Sequence, residues 1–372
     1  MRFAFCLFKY FPFGGLQRSF SQVATACLDR GHHVDVYTTA WQGDMPREMA
    51  VSIVPVTGLT NHRRYVSFAR ELSQCLASKQ YDAVVGFNKI PGLDVYFASD
   101  PCFAAKARGR SLLYRLTGRC RTLLRLEAAV FDEASKTEIL LISEQEKSLF
   151  MDFYGTAGER FHLLPPGIAR DRLAPPMAEE IGDELRRELG IPLDQQVVLM
   201  VGSGFKTKGV DRAIRALSSF PLGLREKTTL LIVGEDKREP FFRLAKRCGV
   251  AHMARFVGGR DDVARFLFAA DLLLHPAYRE NTGTVLIEAM AAGLPVLVTD
   301  VCGYSSHIER AGAGELVPSP FRQETLNQLL TAMLTSENKR QWQQNGRDYV
   351  ARTDVFSRAE KAADVIAQVA AW

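Results

Sequence analysis

Short apolar runs of strand length alternate with longer amphipathic stretches along almost the whole chain. Runs at 3–9, 34–38, 51–56, 83–87, 95–98, 139–142 and 162–164 are rich in Val, Ile, Leu and Phe, and each is too short for a buried helix. They predict strands. Between them the spacing predicts a helix from the Gly14-Gly15 turn to about Arg30 and another over 63–79. A second series starts at 197–201 and continues through 229–233, 255–258, 272–275, 296–299 and 315–317. Helical patterns over 322–335, 337–352 and 357–370 finish the chain. Strands that alternate with helices imply a parallel, doubly wound sheet, and two series imply two such sheets. Pro165-Pro166-Gly167-Ile168 and Pro175-Pro176 interrupt the alternation and predict the connection between domains.

Composition agrees with this division. At 372 residues the chain exceeds the roughly 250–300 at which a single core stops growing. Hydrophobic and charged contents of 47% and 24% are those of an ordinary globular protein. No apolar run approaches the ~18 residues needed to span a bilayer. The opening Met1-Arg2-Phe3-Ala4-Phe5-Cys6-Leu7-Phe8 has no small-residue cleavage site and runs into Lys9, Tyr10 and a Pro/Gly turn, so it is expected to be a strand rather than a signal core. Seven cysteines without CxxC spacing argue against a zinc site and a disulfide framework, and fit a reducing cytoplasm.

The net charge of +5 is modest, but its distribution is uneven. Lys106, Arg108, Arg110, Arg115, Arg119, Arg121 and Arg125 fall in one stretch without an acidic residue, interleaved with Leu112, Leu113, Tyr114, Leu116, Leu123 and Leu124. The pattern predicts a basic amphipathic segment lying on an anionic membrane surface. A nucleic-acid footprint and a solvated helix face are the competing readings, and no RNA-binding motif accompanies the arginines.

Candidate chemistry concentrates in two loops of the second series. Gly202-Ser203-Gly204-Phe205-Lys206-Thr207-Lys208-Gly209 joins backbone donors to compact cations, a combination suited to a diphosphate. It is neither a GxxxxGK[ST] loop nor a dinucleotide fingerprint, which requires a third glycine. Glu280-Asn281-Thr282-Gly283-Thr284-Val285 precedes a helix that passes Glu288 and ends at Gly293-Leu294-Pro295. The carboxyl end of a strand is where an open α/β sheet collects ligands, and loop N–H groups ahead of a helix favour an anion. Glu280 before the helix and Glu288 within it are placed to accept hydrogen bonds from hydroxyls on either side of a bound phosphate. Acidic residues complementing a helix dipole would give the same spacing. In the first series, Gly14-Gly15 suits either close approach of a ligand or a tight turn. Asp100, at the carboxyl end of its strand, serves either a ligand or the turn before Pro101.

Glu280 and Glu288, eight positions apart, resemble the E-x7-E motif of retaining glycosyltransferases of family 4. Gly14-Gly15-Leu16-Gln17-Arg18, Pro165-Pro166-Gly167-Ile168, Lys208-Gly209 and the turn at 258–262 follow in that family's order across essentially the whole chain. More narrowly, residues 6–18, Gly86-Phe87-Asn88-Lys89, 91–96 and Val301-Cys302-Gly303-Tyr304 look like lipopolysaccharide core glucosyltransferases. The resemblance implies a GT-B fold, two Rossmann-like doubly wound parallel-sheet domains facing a cleft. It implies an acceptor-binding domain at 1–168, a nucleotide-sugar-binding domain at 169–354, and a final helix, about 355–372, that crosses back to the first. It also implies transfer of glucose from UDP-glucose to a heptose of the lipopolysaccharide inner core, α-1,3-linked and with retention, by a cytoplasmic enzyme peripheral to the inner membrane.

Carried over by position, Gly14 and Gly15 face the donor phosphates, Lys208 contacts the diphosphate, and the backbone around Arg260 reads the base. Asp261 and Asp262 are expected to cap the next helix. Glu280 orients the glucose hydroxyls, Asn281 through Val285 form the loop on the phosphates, and Glu288 holds the ribose. Many relatives carry an arginine after the first glycine of the diphosphate loop. Ser203 stands there here, so the second cation is assigned to Lys206 or Arg172. No D-x-D triplet occurs, so Lys208, Arg172 and loop N–H groups are expected to stabilise the departing diphosphate without a metal or other cofactor. No confident candidate for the carboxylate nucleophile of retaining hydrolases is evident, which makes front-side displacement the expectation, with Asp100 at the acceptor hydroxyl. The alternatives are a UDP-sugar epimerase or hydrolase, and a membrane-surface glycan-binding protein without turnover. Intact Lys208, Glu280 and Glu288 argue against the last.

Overall fold

β1 (Arg2–Leu7) is apolar at every position after Arg2 and buried throughout that run. A strand buried on both faces needs neighbours along both edges and helices above and below. Both are present in the computed structural model, which describes residues 1–12 and 15–371. β2 (His33–Thr38), β3 (Ala50–Ile53), β4 (Ala83–Gly86), β5 (Val95–Ala98), β6 (Glu138–Leu141) and β7 (Phe161–Leu163) complete a parallel sheet in the order β3-β2-β1-β4-β5-β6-β7. The alternation along β1 divides the core. Phe3 and Phe5 join Phe20, Phe87 and Phe97 on one face, while Ala4 and Cys6 join Tyr96, Phe131 and Phe150 on the other.

The closing helix Arg358–Val369 belongs to this unit. Ala362, Ala363 and Ile366 pack into the Phe3 face, and Asp364 pairs at 2.9 Å with Arg30, the residue just past the helix Gly15–Asp29. The chain divides into one unit of Met1–Pro165 with Ser357–Trp372 and a second of Pro166–Phe356.

The second unit holds β8 (Gln196–Val201), β9 (Thr228–Val233), β10 (Ala254–Gly258), β11 (Leu272–His275), β12 (Val296–Thr299) and β13 (Gly314–Val317), all parallel, in the order β10-β9-β8-β11-β12-β13. In both sheets the connections run outward from the first strand in opposite directions. The resulting switch points lie between β1 and β4 and between β8 and β11.

Most departures from the expected elements are at their ends. β3 stops at Ile53 because Val54 makes the last backbone bond, to Thr38, and Pro55 has no N–H to continue the ladder. The second helix begins two residues early, at Asn61–Ala77. The basic stretch differs more. It is three helices, Phe103–Arg108, Leu112–Arg115 and Gly118–Phe131, separated by Gly109 and by Ser111 and Thr117, whose hydroxyls accept from Tyr114 N and Cys120 N. All seven basic side chains are exposed, as are Leu112, Leu113 and Leu116. Among the described residues no helix is long and apolar enough to cross a membrane.

Candidate active site

The diphosphate-loop candidate leaves β8 at the switch point of the second sheet. Gly202 and Gly204 have φ of 131° and 79°, which allow the chain to turn sharply into the short helix Phe205–Lys208. Gly209 then splits this helix from Val210–Ser218, and a Cβ at Gly209 would fall 2.1 Å from the Pro276 carbonyl oxygen. The two loops of the site therefore touch through backbone. Gly202 N donates to Val233 O and Phe205 N to Asp236 Oδ2, while Ser203 and Gly204 between them are exposed. Ser203 Oγ accepts from Glu235 N, and Lys206 is exposed.

The partner loop leaves β11. His275 is its last residue and is fully buried; Glu280 follows five residues later. Lys208 Nζ donates to Glu280 Oε2, and His275 Nε2 lies 3.4 Å from the same oxygen. Burial opposes the Glu280 charge, yet the His275 hydrogen bond and the Lys208 ammonium outweigh it and hold the carboxyl at about 2. Burial lowers the His275 pKa, so the ring is neutral at pH 7; because the carboxylate only accepts, Nε2 carries the proton. The result is an ionised carboxylate and a cation held side by side at the rim of the sheet.

Backbone pairing fixes the rest of this loop. Gly303 N and Tyr304 N donate to Glu280 O and Thr282 O, which ties the loop to the segment after β12. Asn281 and Thr282 are half-buried, and Gly283 takes a φ of 83° at the start of the helix Thr284–Ala292, with Val285 buried behind it. Glu288 is buried inside that helix, and Arg172 Nε lies 3.6 Å from its Oε1. Arg172 itself is buried in a single 3-10 turn, Arg170–Arg172, and donates to Asp171. Among the described residues its Nε has no hydrogen-bond acceptor.

The second unit thus brings together Lys208, Glu280, Glu288, Arg172 and both glycine loops, and Glu235 links the loop at 202–204 to the turn before Arg260: its N donates to Ser203 Oγ and its Oε2 accepts from Gly259 N. Arg260 is forked onto Asp262 through two bonds of 2.8 Å. That corrects the capping role given to Asp262: it occupies the N-cap position of the helix Val263–Ala269, but its side chain grips Arg260 instead of the helix N–H groups. Asp100 and Gly15 lie in the first unit, Asp100 exposed just past β5; Gly14 is outside the described residues. Among the described residues no group of three or more His, Cys, Asp or Glu side chains forms a metal-ligand set.

Two residues escaped the sequence reading. His275 sat within an apolar run, and its only signal was a titratable residue at a strand's carboxyl end. Arg212 gave none. It is buried between the rings of Tyr278 and Phe321, 3.7 and 3.5 Å from their centroids, and donates to the carbonyls of Pro276 and Ala277. It fixes the loop that carries Glu280.

The family model described as "Glycosyltransferase Family 4" matches residues 13–172, and that described as "Glycosyl transferases group 1" matches 182–349. The lipopolysaccharide glucosyltransferase WaaG of Escherichia coli (strain K12) is 46% identical over 365 residues, covering 98% of each chain. The chain belongs to the WaaG family of glycosyltransferases. A crystal structure of WaaG, a glycosyltransferase involved in lipopolysaccharide biosynthesis, superposes with a TM-score of 0.92 over 98% of this chain and 99% of that one, at 47% identity. Anabaena HepE in complex with UDP and glucose shares the fold, with a TM-score of 0.76 over 99% of this chain and all of that one, at 18% identity. The two parallel-sheet units are thus those of a GT-B glycosyltransferase of family 4, and the E-x7-E pair of this WaaG-family chain sits at the switch point of the second.

Proposed function

We propose that this enzyme transfers glucose from UDP-glucose to a heptose of the lipopolysaccharide inner core, with retention and without a metal ion. The observation that carries the reading is the Lys208–Glu280–His275 cluster at the second switch point, in a chain of the WaaG family. An incoming diphosphate draws Lys208 from Glu280, and the released carboxylate accepts from glucose hydroxyls. Ser203 and Gly204 N–H groups and Arg172 add to the stabilisation of the leaving group, supplying in place of a divalent ion the charge that the departing diphosphate needs. Glu288 takes the ribose. The acceptor is assigned to the first unit, with Asp100 orienting its hydroxyl. The anomeric C–O bond to the diphosphate breaks as the acceptor oxygen bonds from the same face, and the acceptor proton passes to the leaving phosphate.

The exposed basic helices with Leu112, Leu113 and Leu116 support a further assignment, to the cytoplasmic surface of an anionic membrane. The test of transfer is release of UDP from UDP-glucose in EDTA, with and without heptose-terminated core. Acceptor-dependent release supports the reading. Acceptor-independent turnover points instead to an epimerase or hydrolase, and dependence on added divalent ion removes metal independence.

A further inference from the structure

The switch point of the first sheet also carries a cavity, of about 280 Å³. It is bounded by residues that follow three adjacent strands: Phe8 and Lys9 after β1, Thr39 after β2 and Asn88 after β4, with Asn61, Arg64 and Tyr65 from the helix Asn61–Ala77. Its size is just below the ~300–1,000 Å³ range of ligand pockets, which suits a single sugar unit. Its lining suits one too. Phe8 and Tyr65 stack at 4.0 Å and 5°, forming a rigid aromatic wall. Asn88 Oδ1 accepts from Phe8 N, which orients the amide and leaves its NH₂ as donor; Gln17 donates to Lys9 O, which leaves its carbonyl as acceptor. Aromatic surface with fixed amide donors and acceptors is the chemistry of carbohydrate recognition.

The charge is less expected. Lys9 and Arg64 both line the cavity, and among the described residues its lining contains no carboxylate. A neutral sugar would not need two cations. We propose that this cavity is a subsite for a sugar unit of the acceptor that bears an anionic group, a phosphate or a carboxylate, gripped by Lys9 and Arg64. Arg64 presents a planar fork to the anion from its helix, and Lys9 adds a point charge from the carboxyl end of β1. This rests on the assignment of the acceptor to the first unit and narrows it to an acceptor already carrying a negative charge near the glycosylated sugar.

The test measures binding without donor or turnover. Calorimetry compares the full-length protein with a Lys9→Gln/Arg64→Gln double variant. The probes are heptose-terminated core oligosaccharide, the same material after phosphatase treatment, and the same after carboxyl reduction. Wild type is expected to bind the untreated material about tenfold or more tighter than one of the treated forms, as for hydrogen bonds to charged groups. The treatment that removes the advantage identifies the anion. The double variant should bind all three alike, with unchanged UDP affinity showing an intact fold. Asn61→Asp, which adds a negative charge at the exposed rim, should weaken only the anionic probe. Equal binding of the three probes by wild type, or undiminished binding by the double variant, overturns the proposal. Failure of the UDP-glucose reading would appear separately, as absent UDP release by wild type.

Discussion

The two sheets share a topology and place a polar site at the same point, but they handle charge in opposite ways. At the second switch point the cation and the carboxylate neutralise each other: Lys208 is bonded to Glu280, and Arg172 lies against Glu288 and Asp171. At the first, Lys9 and Arg64 line a cavity with no carboxylate among the described lining residues. The first unit pairs charge elsewhere: Glu127 is fully buried, bonded to Lys89 and accepting from Phe103 N, Ala104 N and the Tyr154 hydroxyl. This pair holds the segment after Asp100 rather than a ligand. On the proposed reading, the site that pairs its own charges is preorganised and exchanges partners on binding, whereas the cations of the first cavity take their counter-charge from the substrate.

The largest expected effect breaks the structural half of that contrast. Glu127→Ala leaves the largely buried Lys89 and two amide donors without their partner, and should destabilise the first unit by about 3–5 kcal/mol in denaturant unfolding. An unchanged midpoint would mean that the buried pair is dispensable. Replacing Arg115, Arg119 and Arg121 by Gln should weaken binding to anionic vesicles by about 3 kcal/mol, roughly 1 kcal/mol per charge, with turnover on a soluble acceptor preserved. Persistent vesicle binding would place the membrane face elsewhere. Lys208→Ala should reduce UDP affinity by about 1–3 kcal/mol in calorimetry, the range for a charged hydrogen bond. Retained affinity would take the lysine out of the donor site.

The smallest effect concerns pH. His307 bonds to Tyr349 and is held at about 4, by burial first and by Arg310 second, against 6.5 in the unfolded chain. The unfolded chain therefore takes up a proton that the folded one refuses. Stability is full above pH 6.5 and falls as pH drops toward about 4. His307→Asn should flatten that part of the stability profile, and an unaltered slope would assign it to other groups, His275 among them.

The two-sheet architecture was legible because β1, β8 and β11 are continuous apolar runs bounded by polar loops, which is how strands covered on both faces must read. The two loops that meet at the Lys208–Glu280 pair were legible because glycine, lysine and glutamate fall just past strand ends. His275 and Arg212 were not, since their roles depend on groups that only the fold assembles: Lys208 at the shared Glu280 oxygen for one, Tyr278 and Phe321 for the other. Asp262 misled for the same reason, because a local capping rule competes with a cation two residues away that only the loop geometry brings within 2.8 Å. The basic stretch read as one amphipathic segment because its leucines repeat, but Gly109, Ser111 and Thr117 break it into three helices.

The proposed mechanism turns on Glu280 exchanging Lys208 for sugar hydroxyls, and calorimetry of UDP-glucose and free UDP against wild type and Glu280→Gln tests this most directly. The account predicts that the variant loses its preference for UDP-glucose while binding UDP as tightly or more so, because Lys208 is released to the diphosphate. Equal weakening of both ligands would contradict it and move Glu280 to the nucleotide end of the site.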